Sequence, residues 1–168
     1  MLTLALLSAN WTEAREHEVA TQSSYLFWID EGDMITAKIR AQKFLAALDQ
    51  SSEIGKDLHD VYANASHLLQ VRYTERAYNE RLEALRKPLG KVKRRVLRGV
   101  DGGYKTLPNR PLGQYVIVVF NTNFANNTDI YTEQVTLARE SSTSSTRDST
   151  WKIVEYYCGT KPYYSEPQ

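Results

Sequence analysis

A chain of 168 residues, 42% hydrophobic and 24% charged, has ordinary globular composition and enough length to bury one substantial core. Its 21 Lys and Arg stand against 20 Asp and Glu, and a formal net charge of +1 argues against general nucleic-acid binding. A single cysteine, Cys158, excludes an internal disulfide and a cysteine-rich metal site.

Residues 1–11 carry a short apolar run, Leu2 to Leu7. It is either the remnant of a signal peptide without its charged first region or the start of the first helix. Asn10, Asn64 and Asn126 head Asn-x-Ser/Thr sequons, which matter only in a glycosylating pathway. Nowhere does the chain hold the ~18–20 apolar residues of a membrane-spanning helix. Residues 12–158 are expected to form a single α+β domain, with N-terminal helices packed on a curved, mainly antiparallel sheet of about four strands. Residues 159–168 then form an extended tail.

Thr12 is suited to cap a helix running to about Glu31, with Asp30-Glu31-Gly32-Asp33 ending it. The dense apolar stretch Tyr25 to Ile29 within it is expected to be largely buried. Ile35, Ile39, Leu45 and Leu48 follow helical spacing over 35–49, up to the stop Gln50-Ser51-Ser52. Leu58, Val61, Tyr62, Ala65, Leu68 and Leu69 mark one further helix, the clearest amphipathic signal in the chain. Thr74 to Lys87 forms the next, with Tyr78, Leu82 and Leu85 on one face and Pro88 and Gly90 closing it.

After Gly90 the period changes to that of strands. Val92 to Val100 is expected to be a strand ending in a turn at Asp101-Gly102-Gly103. Gln114 to Phe124 is apolar on both faces near its start, as in a strand covered on both sides, with Val116, Val118 and Phe120 on one side and Ile117 and Val119 on the other. Asn126 to Asp129 turns into a strand at Tyr131 to Arg139. There Tyr131, Glu133, Val135 and Leu137 share a face, and Thr132, Gln134 and Thr136 point outward. The segment Ser141 to Thr150 is expected to be a polar loop before a last strand, Trp151 to Cys158.

Charge is uneven. Residues 85–98, LRKPLGKVKRRVLR, hold seven Lys or Arg and no acid, whereas residues 1–33 hold six acids and one base. One reading is an edge strand whose bases guard it against pairing with another chain. The other two readings are an acidic protein or membrane-surface partner, and nucleic acid.

The ordered set WIDEGD, EALRKPLGKVKRR, LPNRPLGQYVIVVFNTNF, TEQVTL and WKIVEYY resembles a bacterial family known as domain of unknown function 4019. The match runs through Trp28, Asp30, Gly32, Arg86, Pro88, Leu89, Gly90, Leu107, Pro108, Gly113, Tyr115, Phe124, Glu133, Val135 and Trp151. The resemblance implies a small exported protein, periplasmic or extracellular, on a cystatin-like or nuclear-transport-factor-like cone. The alternative is a cytoplasmic protein. The stretch between Gly32 and Arg86 looks longer than usual for that family.

No strong catalytic motif occurs: there is no P-loop, G-x-S-x-G, G-x-G-x-x-G or H-E-x-x-H. His59 and His67, eight residues apart, do not form a chelating helical pair, and Cys158 has no base beside it in sequence. Neither a metal nor a cofactor is expected. In a cone-fold enzyme or small-ligand protein with a pocket between sheet and helices, Asp30, Tyr115, Glu133 and Tyr157 are the conceivable members of the site. The preferred reading is a non-catalytic accessory or protein-binding subunit of an envelope complex. Trp28, Asp30, Arg86, Pro88, Gly90, Lys93, Arg94, Arg95, Tyr115, Glu133, Trp151, Tyr163 and Tyr164 are its candidate binding or motif residues. Glu133, if it faces the core, needs a cation, and Arg94 or Arg98 on the neighbouring strand is expected to supply it.

Overall fold

A computed structural model describes residues 27–54, 58–142 and 145–161. The element order is α1 (Glu31–Ile54), α2 (His59–Ala63), α3 (His67–Arg72), α4 (Glu75–Arg86), a 3-10 turn (Lys87–Leu89), then β1 (Val92–Tyr104), β2 (Tyr115–Phe124), β3 (Ile130–Ser142) and β4 (Ser145–Gly159). The strands pair antiparallel in the order β1-β2-β3-β4, an open sheet with β1 and β4 at its edges. This is the expected α+β class. Among the described residues no helix is long and apolar enough to cross a membrane.

Several boundaries differ from the sequence expectation. Asp30 begins a helix rather than ending one: its carboxylate accepts the Asp33 N–H at 2.7 Å, the side-chain cap that satisfies an orphan donor of a first turn. The expected helix from Thr12 lies mostly outside the described residues, and Phe27 to Asp30 are not helical. Within Phe27 to Ile29, only Phe27 and Ile29 pack on the core, while Trp28 is 89% exposed. Helix α1 runs on to Ile54, and its buried stripe is Ala37, Ala41, Phe44, Leu45 and Leu48; Ile35 and Ile39 face outward. Small alanines let the helix approach the sheet, so they, and not the isoleucines, mark the inner face.

The helix expected over Leu58 to Leu69 is broken into α2 and α3. Ser66, fully buried, caps α3 by accepting the Leu68 N–H, and its hydroxyl donates to Glu140 of β3 at 2.5 Å. The Ser66 N–H also donates to the Ile153 carbonyl of β4. These long-range bonds outweigh continuous helix at Asn64-Ala65-Ser66.

Strand β1 does not turn at Asp101-Gly102-Gly103 but continues to Tyr104. The glycines serve a close approach instead. Phe27 donates its N–H to the Gly103 carbonyl at 2.6 Å, and a Cβ on Gly103, at φ +88°, would meet the Phe27 carbonyl oxygen at 2.6 Å. The connection to β2 is residues 105–114. Likewise the polar stretch after Arg139 is not a loop: the backbone of Glu140 to Ser142 and of Ser145 to Thr150 extends the β3–β4 hairpin.

The core lies between the helices and one face of the sheet. There Val116, Val118, Phe120 and Phe124 meet Val135, Leu137, Trp151, Ile153 and Tyr156, with Phe44, Leu45, Leu48, Leu69, Tyr78 and Leu82 from the helices. A smaller cluster of Leu107, Tyr115, Ile117, Ala138 and Val154 covers part of the opposite face, so β2 is covered on both sides as expected. Gln134 and Thr136 do lie off the main core face, yet both are buried rather than exposed.

Candidate functional site

Between the helices and the sheet sits a charge cluster. Two apolar helix stripes run into it. In α1 the i, i+4 series Ala37, Ala41, Leu45 continues to Asp49, and in α4 Tyr78, Leu82 continues to Arg86. Helical geometry therefore carries one acid and one base inward along with the apolar residues. The sheet supplies Arg95 from β1, Thr122 from β2, Glu133 from β3 and Tyr156 from β4.

Glu133 is fully buried, and Arg86 is 3% exposed. One carboxylate oxygen of Glu133 accepts from Arg86 Nη1, from the Tyr156 hydroxyl at 2.6 Å and from Arg95 Nη2 at 3.3 Å. The other accepts from Arg95 Nε at 2.6 Å and from the Thr122 hydroxyl. Arg86 Nη2 and the Arg95 fork share Asp49, the latter at 2.7 and 3.1 Å. Arg86 also donates to the Tyr156 oxygen at 3.1 Å, and its guanidinium lies 4.7 Å from the centre of the Phe124 ring.

Two guanidinium groups and two carboxylates cancel formally, and the bonds offset part of the cost of taking charges from water; Arg86 Nε is buried without a hydrogen-bond partner among the described residues. Burial pulls Arg95 toward neutrality, but hydrogen bonds to Asp49 and Glu133 overcome it and hold the guanidinium above its ordinary value. Burial, reinforced by the Glu133 charge, holds the Tyr156 hydroxyl protonated well above the usual phenol range. Cys158, the register partner of Glu133 on β4, has its thiol pushed up to about 11, by burial first and the Glu133 charge second. A protonated buried thiol is a poor nucleophile. The cluster fixes charge in place.

Glu133 does face the core and is paired, though not by the expected bases. Arg94 and Arg98 are exposed, and Arg95 reaches inward because register shifts interrupt β1 between Val92 and Arg94 and between Leu97 and Gly99. A bulge adds one residue and flips strand parity, which strict alternation does not anticipate. Asp49, Thr122 and Tyr156 also escaped sequence reasoning. The available signal was a charged residue at the end of each apolar helical stripe.

The other candidates are scattered. Asp30 is a cap at the surface. Tyr115 is buried and donates to the Pro111 carbonyl at 2.7 Å, on the opposite face from Glu133. Tyr157 donates to the Lys161 carbonyl. Trp151 is buried and donates its indole N–H to Asp33, which also binds Arg139 at 2.9 Å. Pro88 and Gly90 secure the turn before β1: Leu89 accepts the Asn126 N–H, and a Cβ on Gly90 would strike the Asn126 side chain at 2.7 Å. Lys93 is exposed on the β1 edge. Tyr163 and Tyr164 lie outside the described residues. His59 bonds to Glu75 at 2.9 Å, and no group of three metal-ligating side chains occurs among the described residues.

Residues 40–156 match the family model described as Protein of unknown function (DUF4019). No curated protein and no solved structure matches the chain.

Proposed function

Starting from a chain that belongs to the DUF4019 family, we propose that it is a non-catalytic protein, exported to the periplasm or beyond, that acts as a protein-binding or accessory subunit of a cell-envelope complex. The observation that carries the non-catalytic part is the ligation of Glu133. Arg86, Arg95, Thr122 and Tyr156 together direct five hydrogen bonds at the carboxylate buried beneath the helices. A general base needs an oxygen free to reach a substrate proton, and one bound to its own guanidinium partners is tuned for structure.

The binding part draws on the surface. Trp28, Leu112, Val71 and Ile130 are exposed at 89, 84, 73 and 57%, apolar side chains available to a partner. The fold of this proposal is a cystatin-like or nuclear-transport-factor-like cone. The alternative, a small-ligand or enzymatic cone with a pocket between sheet and helices, has less support, because core side chains and the charge cluster lie in that space.

Expression of the tagged full chain in its native host, followed by fractionation and affinity capture, tests the proposal. The expected result is recovery in the envelope or external fraction together with a stoichiometric protein partner. Recovery in the cytoplasm without a partner would overturn it.

A further inference from the structure

The basic strip divides in the structure. Arg86 and Arg95 are consumed by the core, whereas Lys93, Arg94 and Arg98 stand exposed on β1 and make no ion pair among the described residues. Beside them, at the register shift between Leu97 and Gly99, the outer face of the sheet opens into a shallow hollow of about 450 Å³. Arg98, Gly99, Val100 and Asp101 form one wall, and Val119, Asn121 and Thr132 form the floor. Gly99 leaves open space where a side chain would stand. Val96 and Leu97, 42 and 39% exposed, interrupt the charges with apolar surface.

We propose that this edge of β1 docks an extended acidic segment of a partner protein, which adds alongside β1 as a further strand. The proposal rests on the protein-binding reading above and names its site. An edge strand provides main-chain donors and acceptors for an added strand, and side-chain pockets provide its selectivity. Acidic side chains of the incoming strand meet Arg94 and Arg98, and one small apolar or polar side chain enters the hollow over Gly99. Cations that make no ion pair among the described residues give such a partner a favourable encounter rate and register.

Nucleic acid fits the same surface less well. Three exposed cations on a chain of net charge +1 neutralise few phosphates, and among the described residues no aromatic side chain lines the hollow to stack a base.

The test uses the full chain and a fluorescent peptide of alternating Glu and Val, roughly ten residues long, enough to pair with most of β1. Binding is followed by anisotropy at several salt concentrations, against a Lys/Val peptide and a single-stranded oligonucleotide. Two variants are compared with wild type: K93E/R94E/R98E, and Gly99→Trp, which fills the hollow. Thermal melts check that both remain folded.

The expected result is salt-sensitive binding of the Glu/Val peptide alone, weakened at least tenfold by the charge reversal and severalfold by Gly99→Trp. No binding, binding untouched by both variants, preference for the oligonucleotide, or self-association through this edge would each overturn the proposal. Capture from the native host separates the two levels. If K93E/R94E/R98E retains every partner of the wild type, the site is wrong and the accessory reading stands; if the wild type itself retains none, that reading fails.

Discussion

Arg86, in the last turn of α4, and Glu133, near the start of β3, lie 47 residues apart in the chain and meet as an ion pair shielded from water. Their bond ties the helical layer to the sheet at a point where neither partner has solvent to fall back on. Arg95 and Asp49 close the square from an edge strand and from α1. Four elements therefore depend on one arrangement of charge.

Glu133→Gln should accordingly be severe. It removes one anion, leaves two guanidinium groups facing Asp49 alone, and replaces an acceptor oxygen with a donor. Breaking a buried pair from one side costs about 3–5 kcal/mol. Chemical denaturation should show a loss of that order. The double change Arg86→Met with Glu133→Leu should cost less than Glu133→Gln, because Arg95 and Asp49 remain as a neutral pair. Near-wild-type stability of Glu133→Gln would refute the cluster's structural role.

Cys158 contributes to the alkaline limit of stability. Folding raises the Cys158 thiol from 9.0 to about 11, so the neutral thiol is favoured in the native state. A raised value gives stability that is fully present below the unfolded value and is lost as pH climbs through the folded one. Stability should therefore decline between about pH 9 and 11. In the same window Cys158→Ala should show a shallower decline in denaturation midpoints. A thiol reagent should label native Cys158 slowly at neutral pH and rapidly after unfolding.

Two glycines of β1 should behave oppositely. Gly103→Ala forces a Cβ into the Phe27 carbonyl at a positive φ, so it should lower the melting temperature and loosen the contact of Phe27 with the strand. Gly99→Ala meets nothing within 4 Å and should be neutral or slightly stabilising. Hydrogen exchange at the Phe27 amide, which bonds to Gly103, distinguishes the two.

Val118 has no exposed surface and lies at the middle of the central strand β2. Val118→Asp places an unpaired charge in the main core, at a cost of several kcal/mol. Circular dichroism should show loss of cooperative melting. A variant that melts near the wild-type temperature would contradict the placement of this face.

The set of antiparallel strands and the facing of Val116, Val118 and Phe120 were legible because strand alternation is local: each residue's side follows from its neighbour's. The order of the strands was not, since the strand of Arg94 and Arg98 neighbours β2 and not the strand of Glu133. The same holds for α4, whose Thr74 cap and apolar stripe are contained within the segment itself. Composition and Cys158 alone likewise excluded a disulfide framework, and the ordered motifs around Pro88-Leu89-Gly90 and Trp151 carried the family resemblance. Tertiary contacts decided what depends on partners distant in sequence. Ser66 breaks a helix because Glu140 and Ile153 bind it there, and Gly102-Gly103 stay in a strand because Phe27 and Ile29 need the room. Above all, the choice of Arg95 over Arg94 turned on a bulge in β1, which local alternation does not reveal. One inserted residue reverses which side faces the core, and here it brings Arg95 to the buried Glu133.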